Sequence, residues 1–415
     1  MAIIVDNGSA TDSRRPSRSV SRETSPVSEP VSESMGSEVL ELAFGIRPSV
    51  RAALKSSMPQ LMTDHGLANE IDSPIGSPSG DGRDNGSFDD FVVVPGFFKQ
   101  LLNFIIMVIT PLPSFYCAYM IQFRPPILKS GFWTPLKSGP FACANILFFL
   151  NIDVWFWLLS ILQKSTWLID PYWTFIPLLV AHLYRAHPLA HYDPIRSKVA
   201  LTLLWIWSLR LTFSYFRREK WRFGWREDWR FTEYRKSLGF FWYPASFFIA
   251  YISQHLMLMG LTLPLLAVHN SKVPYSGVWD TFAAAICLCG IRIASVADAQ
   301  LHRFMEANAR RQVTIVVLRT GVWRFSRHPN HFGEQLFWVG VGIFAINCGW
   351  PKCAMGFLFN HLCDRFVTLG MIENRMLSKP RRAAAYRVYQ TQVWFLFSLR
   401  KRISFLVINY LKTEN

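Results

Sequence analysis

Eight apolar stretches follow one another along this chain, at residues 97–120, 141–162, 168–183, 199–216, 240–268, 278–296, 332–346 and 354–372. A helix that crosses a bilayer needs ~20 mostly apolar residues, and most of these stretches qualify. The segments at 168–183 and 332–346 are short and border polar loops, which predicts tilted or partly re-entrant helices. No internal repeat is visible. The pattern predicts an all-α fold, a polytopic membrane helical bundle of about seven to eight transmembrane helices. Charged residues make up only 17% of the chain, against about a quarter in a soluble domain.

The net charge of +16 conceals an asymmetry. Residues 1–95 hold 8 Lys/Arg against 14 Asp/Glu, so the remainder carries +22. That first segment is rich in Ser, Pro, Gly and charge, as in "RRPSRSVSRETSPVSEPVSESMGSE", and buries too little apolar surface to offset ordering entropy. It is expected to be a disordered, acidic cytosolic tail. "SEVLELAFGIRPSVRAALKSSM" within it has the pattern of a short amphipathic helix on a membrane surface. Its Arg-x-Ser and Ser-Pro sites are candidates for phosphorylation; a plain solvated tail is the alternative. The opening "MAIIVDNGSATDSRRP" has four apolar residues, too few for the core of a cleavable signal peptide. The seven cysteines are scattered; Cys287 and Cys289, inside an apolar run, are expected to be small buried residues without a disulfide framework.

Three loops hold most of the positive charge: "FRREKWRFGWREDWRFTEYRKSLG", "LHRFMEANARRQVTIVVLRTGVWRFSRHPN" and "ENRMLSKPRRAAAYRVYQTQVWFLFSLRKR". Basic residues in short loops between spans follow the positive-inside rule, so the charge implies no nucleic-acid partner. All three loops are expected on the cytosolic side, available to one site. The second domain is therefore taken as residues 96–415.

The densest polar cluster is "GVWRFSRHPNHFGEQLFWVGVGIFAI". A helix starting at Pro329, whose missing N–H is harmless in the first turn, places Asn330 and Glu334 one turn apart on one face. His328 falls just before it, where N–H groups and the helix dipole favour an anion. Arg324 and Arg327 beside that terminus suit a phosphate, although a solvated basic loop has the same composition. Glu334 enters an apolar helix, and a carboxylate there marks a functional site. Asp298 and Gln300 close the apolar run before it; Asp298 is too short to snorkel to water, and His302 lies one turn away. Glu373 and Arg375 end the last span, with Tyr386 and Tyr389 beyond. Arg210 lies inside an apolar span and needs a partner; Asp170 and Asp228 are candidates. No metal site is expected: His187/His191 and His328/His331 lack the HExxH glutamate and a third ligand. There is no GxGxxG, Walker A or GxSxG motif.

The blocks "TGVWRFSRHPNHFGEQLFWVG", "ADAQLHRF" and "MIENRML…YRVY" resemble the steroid 5α-reductase C-terminal superfamily. Within it the chain is most similar to the branch of multi-pass proteins described as a domain of unknown function, over roughly residues 169–398. The resemblance implies an endoplasmic-reticulum membrane reductase that holds NADPH in a cytosol-facing cavity formed by a cofactor half at about 278–398. It assigns Asn330, Glu334 and Asp298 to the cofactor, with Arg303, Arg324 and Arg327 at its phosphates and His328, Glu373 and Arg375 nearby. The implied reaction reduces a C=C bond conjugated to a ketone in a lipid or steroid-like substrate. NADPH brings the hydride, and the protein supplies position and electrostatics with a donor at the ketone oxygen. Glu334, Arg210 and Tyr234 are the catalytic candidates, with Tyr215 a second possible donor. Trp207 stands where the reductases place a substrate-binding Tyr, and their substrate-binding Glu has no counterpart. The distantly similar isoprenylcysteine and phospholipid methyltransferases, which use S-adenosylmethionine, share the R-H-P element but follow it with tandem glutamates. Here Glu373 is followed by Asn374, which favours the reductase. A non-catalytic lipid-binding protein is the third alternative.

Overall fold

The computed structural model describes residues 96–123, 131, 134–224, 226–310 and 317–393. The acidic segment 1–95, with its expected helix and phosphorylation sites, and residues 394–415 lie outside the described residues. The described chain is almost wholly helical. Helix α1 covers Phe97–Phe123, α2 Pro140–Gln163, α4 Pro194–Arg218, α5 Trp229–His269 and α6 Trp279–Arg310, and these five are long and apolar enough to cross a membrane. Helix α3 (Ile169–Ala186), α7 (Pro329–Asn347), α8 (residues 355–377) and α9 (Pro380–Gln392) complete the bundle. Each of the eight apolar stretches is thus one helix of the bundle. One short parallel pair, β1 (His191–Tyr192) with β2 (Asn270–Ser271), links the loops after α3 and α5.

The apolar surface is distributed as a lipid-facing bundle requires. Only 11% of the apolar window of α1 is buried, against 50% of that of α5. Phe97, Phe98, Phe240 and Phe366 stand at least 70% exposed. Water penalises an apolar surface of that extent; hydrocarbon does not.

Two findings differ from the sequence-based expectation. Helix α6 does not end near Asp298; it runs on to Arg310, so Asp298, Gln300, His302 and Arg303 are helical. Cys289 is exposed on the outer face of α6, while Cys287 is buried. All seven cysteines are free.

Small residues set the helix spacing. Gly333 and Gly340 of α7 face Gly290, Ala294 and Cys287 of α6: a Cβ on Gly333 would lie 2.6 Å from Ala294 N and 2.7 Å from Gly290 O. Such small-residue contacts let antiparallel backbones touch. Two ion pairs tie α4 to α6. Arg196 and Asp280, both fully buried, meet at 2.8 Å near the start of each helix, and Arg196 also donates to the carbonyls of Val273 and Pro274. Arg210 and Asp298 meet at 3.0 Å toward the end of each. Their order shows that α4 and α6 run parallel. Three helices contain π turns, at Phe149–Phe156, Phe247–Ile252 and Asp364–Thr368. Such turns shift the face a helix presents and recur at functional sites.

Candidate functional site

The site lies where the end of α4, the later part of α6 and the start of α7 converge. Arg210 of α4 is the hub. Its Nη1 donates to Asp298 Oδ2 at 3.0 Å, and its Nη2 to Glu334 Oε1. Neither Asp170 nor Asp228 is its partner. Asp228 instead caps the first turn of α5 and binds Arg230 at 2.8 Å, while Asp170 sits in the first turn of α3. The reason is helical phase: Arg210 points at the α6–α7 seam.

Trp207, one turn before Arg210, donates from Nε1 to Glu334 Oε2 at 2.6 Å. Its ring is fully buried, stacked on Phe337 with centroids 5.4 Å apart and edge-on to Trp338 at 5.1 Å. Both Glu334 oxygens are therefore satisfied by α4, which makes a carboxylate tolerable at this depth. Trp207, standing where the resemblance places a substrate-binding tyrosine, holds Glu334 instead. Two carboxylates around one guanidinium leave the cluster one negative charge in excess. Asn330, one turn before Glu334, is buried, and its Oδ1 has no partner among the described residues.

The remaining cofactor-site candidates fall into a second group. Glu373, at the polar end of α8, accepts from His328 Nε2 at 3.0 Å, Tyr386 Oη at 3.2 Å and Gln390 Nε2 at 2.9 Å, with Arg327 at 3.3 Å. Burial alone would push the Glu373 carboxyl up, but the His328 hydrogen bond and the charges of His328 and Arg327 hold it below its ordinary value. Burial, the larger effect on His328, pushes that imidazole down against the Glu373 hydrogen bond. A neutral His328 donating Nε2–H to an ionised Glu373, with Arg327 as the permanent cation, satisfies both. Tyr389 of α9 donates to the carbonyls of Trp323 and Ser326, and Trp323 Nε1 to Ala297 O at 3.2 Å. The Arg-His-Pro turn is thus strapped to α6 and α9. Arg375 stacks over Trp229 at 4.4 Å. Arg303 and Arg324 are exposed. His302 pairs with Glu306 at 3.5 Å rather than with Asp298. The pairs Arg327–Glu373 and Arg375–Trp229 bring the described parts of the three basic segments together at one end of the bundle.

Beside the Arg210 cluster is a cavity of about 340 Å³ between α3, α5, α7 and α8. Glu334 is in its wall and Tyr234 lines it, as do Trp173, Gln254, Trp338 and Met371; Tyr215 does not. The sequence reading missed the polar part of its lining. His331 and Gln335 share the Glu334 face of α7, and Asn360 and Asp364 lie one turn apart on α8. His331 Nδ1 lies 3.0 Å and 3.1 Å from the two oxygens of Asp364, and Gln335 Nε2 donates to Asp364 Oδ2 at 3.2 Å. The available signal was the i, i+3, i+4 spacing of His331, Glu334 and Gln335 in an apolar helix. Among the described residues no three His, Cys, Asp or Glu side chains are grouped to hold a metal ion.

The fold and site define a class: a multi-helix bundle with membrane-crossing segments and an ionisable cluster buried at its basic end. Residues 156–393 match the family described as a protein of unknown function, DUF1295, and the chain belongs to that family. It is 27% identical over 286 residues to an uncharacterized protein of Schizosaccharomyces pombe, a match covering 63% of this chain and 80% of that one. No solved structure matches it.

Proposed function

We propose that the protein is an NADPH-dependent membrane reductase, of the steroid 5α-reductase type, that reduces a C=C bond conjugated to a ketone in an apolar, lipid or steroid-like substrate. One observation carries the reading: Glu334 belongs both to the Arg210–Asp298 cluster and to the wall of the 340 Å³ cavity. A single carboxylate therefore belongs both to the charged cluster at the polar end and to the wall of a chamber with mixed apolar and polar lining. At 340 Å³ the chamber lies in the lower part of the usual range for small-molecule sites, ~300–1,000 Å³.

The residues present fit the cofactor. Asn330 Oδ1 is a buried acceptor with no partner among the described residues, as expected of a group that meets a ligand donor. Exposed Arg303 and Arg324 stand at the basic end for phosphates, and the cluster's excess negative charge favours a ring that becomes cationic. When bound, NADPH supplies the hydride. Arg327, His328 and Glu373 hold one another and thereby fix the turn that starts α7, a positioning role rather than direct contact. In this reading the polar end faces the cytosol of an endoplasmic-reticulum membrane, an orientation that the basic loops support through the positive-inside rule.

A second reading is favoured by the same excess charge, since a sulfonium is also cationic: methyl transfer from S-adenosylmethionine. Thermal unfolding of the purified chain, titrated with each compound, separates the two. NADPH is expected to stabilise it, by ~2.7 kcal/mol at a hundred times its dissociation constant. Stabilisation by S-adenosylmethionine alone contradicts the reductase; a response to neither leaves a non-catalytic lipid-binding role.

A further inference from the structure

The cavity contains more polar chemistry than the cofactor reading uses. Three residues of its wall each hold a buried side-chain atom with no partner among the described residues: His331 Nε2, Gln335 Oε1 and Asn360 Oδ1. These residues are only 4%, 8% and 4% exposed. Buried polar atoms are nearly always paired, and three orphans around one chamber point to a ligand with a polar end. His331 is the distinctive one. Asp364 takes its Nδ1 through both carboxylate oxygens, and Gln335 steadies Asp364. An imidazole oriented by a carboxylate on one nitrogen, with the other nitrogen buried and unpaired in a residue that lines a cavity, is the arrangement of a positioned acid or base. The other ionisable groups facing the chamber are Glu334 of α7, Arg230 and Tyr234 of α5 and Cys363 of α8. Glu334 is engaged by Arg210 and Trp207, and Arg230 by Asp228.

We infer that His331 binds the ketone oxygen of the substrate and gives it a proton, with Asp364 as the residue that positions the imidazole. The inference rests on the reductase reading. In the step, hydride adds to the β-carbon and the C=C π pair moves to form the enolate. The enolate oxygen takes the Nε2 proton, and the enol so formed tautomerises to the saturated ketone. His331 is left neutral and regains its proton from water. Asp364 remains a carboxylate throughout, because it stabilises the imidazolium without accepting its proton. Gln335 and Asn360 present acceptors for a hydroxyl elsewhere on the ligand or for water.

The test uses the full chain in lipid nanodiscs and a tritiated 4-en-3-one steroid as probe. His331→Ala should keep the NADPH-induced rise in melting temperature and bind the probe about ten-fold more weakly. It should also reduce the probe ~10²–10⁴-fold more slowly, with free imidazole restoring part of the rate. Asp364→Asn should lower kcat with little change in KM. In the unmutated chain, carbethoxylation of His331 by diethyl pyrocarbonate, followed by mass spectrometry, should be slowed by the probe, a readout that needs neither turnover nor a variant. Wild-type probe binding and turnover in His331→Ala with the NADPH response intact, or labelling that the probe does not slow, overturns the role of His331 and leaves the reductase standing. An NADPH response without probe binding to the unmutated chain overturns the enone as ligand class. No NADPH response at all overturns the reductase, and this inference with it.

Discussion

At the residue scale the account turns on Arg210. It is the cation between two carboxylates from different helices, and removing it strands both. Arg210→Met should destabilise the bundle by ~3–5 kcal/mol, the usual effect of breaking a buried pair. Trp207→Phe keeps the aromatic stack but leaves Glu334 Oε2 without its donor, and should lose ~1–3 kcal/mol. Chemical denaturation of both variants in one detergent gives the comparison; Arg210→Met no worse than Trp207→Phe would contradict the hub. The Glu373 group makes a pH prediction. His328 is held below its ordinary value by burial, so acidification charges it more readily in the unfolded chain than in the folded one. Its contribution is complete above the ordinary histidine value, about pH 6.5, and is lost as pH falls. Glu373, also held below its ordinary value, loses its contribution in the same direction at lower pH. The melting temperature should therefore fall on acidification below about pH 6.5, and less steeply in His328→Gln. Much at this scale was legible beforehand: a carboxylate or guanidinium inside an apolar run declares itself, which marked Arg210, Asp298 and Glu334. Who pairs with whom was not, because partners come from helices far apart in sequence. From sequence alone Asp170 and Asp228 are the candidates for Arg210, and His331 stands out only as a metal ligand that lacks its companions.

At the element scale, α7 carries the site and α6 sets its position. Gly333, in the turn between Asn330 and Glu334, is where the two backbones touch. Gly333→Ala places a methyl group within 2.8 Å of Ala294. Displacing one helix should take ~1–3 kcal/mol from stability and weaken NADPH binding, because Glu334 moves away from Arg210. Gly277→Ala, where a Cβ meets nothing within 4 Å, is the control and should do neither. Unchanged melting and NADPH binding in Gly333→Ala would show that the seam is slack. The apolar runs foretold α1 to α8, because hydrophobic length is a local property; polar α9 was not among them. The end of α6 was misplaced for the same reason: its last turns are polar, and hydropathy registers only what is apolar. The π turn beginning at Asp364 has no sequence signature, yet it lies in the part of α8 that lines the cavity.

At the scale of the whole molecule, the chain is a bundle whose basic segments gather at one end, around an ion cluster that adjoins a chamber with mixed apolar and polar lining. The sequence indicated the bundle and the basic loops; their convergence required the contacts between α4, α6, α7 and α8. The central claim is that the end of α4 and the start of α7 form a cofactor pocket with Glu334 at its base. The most direct measurement is the NADPH dissociation constant of Glu334→Gln and Asn330→Ala beside that of the unmutated chain, with circular dichroism to confirm that the helices are retained. The account predicts folded variants that bind NADPH at least ten-fold more weakly, a loss of 1.4 kcal/mol or more. Folded variants that bind NADPH as tightly as the unmutated chain would contradict it.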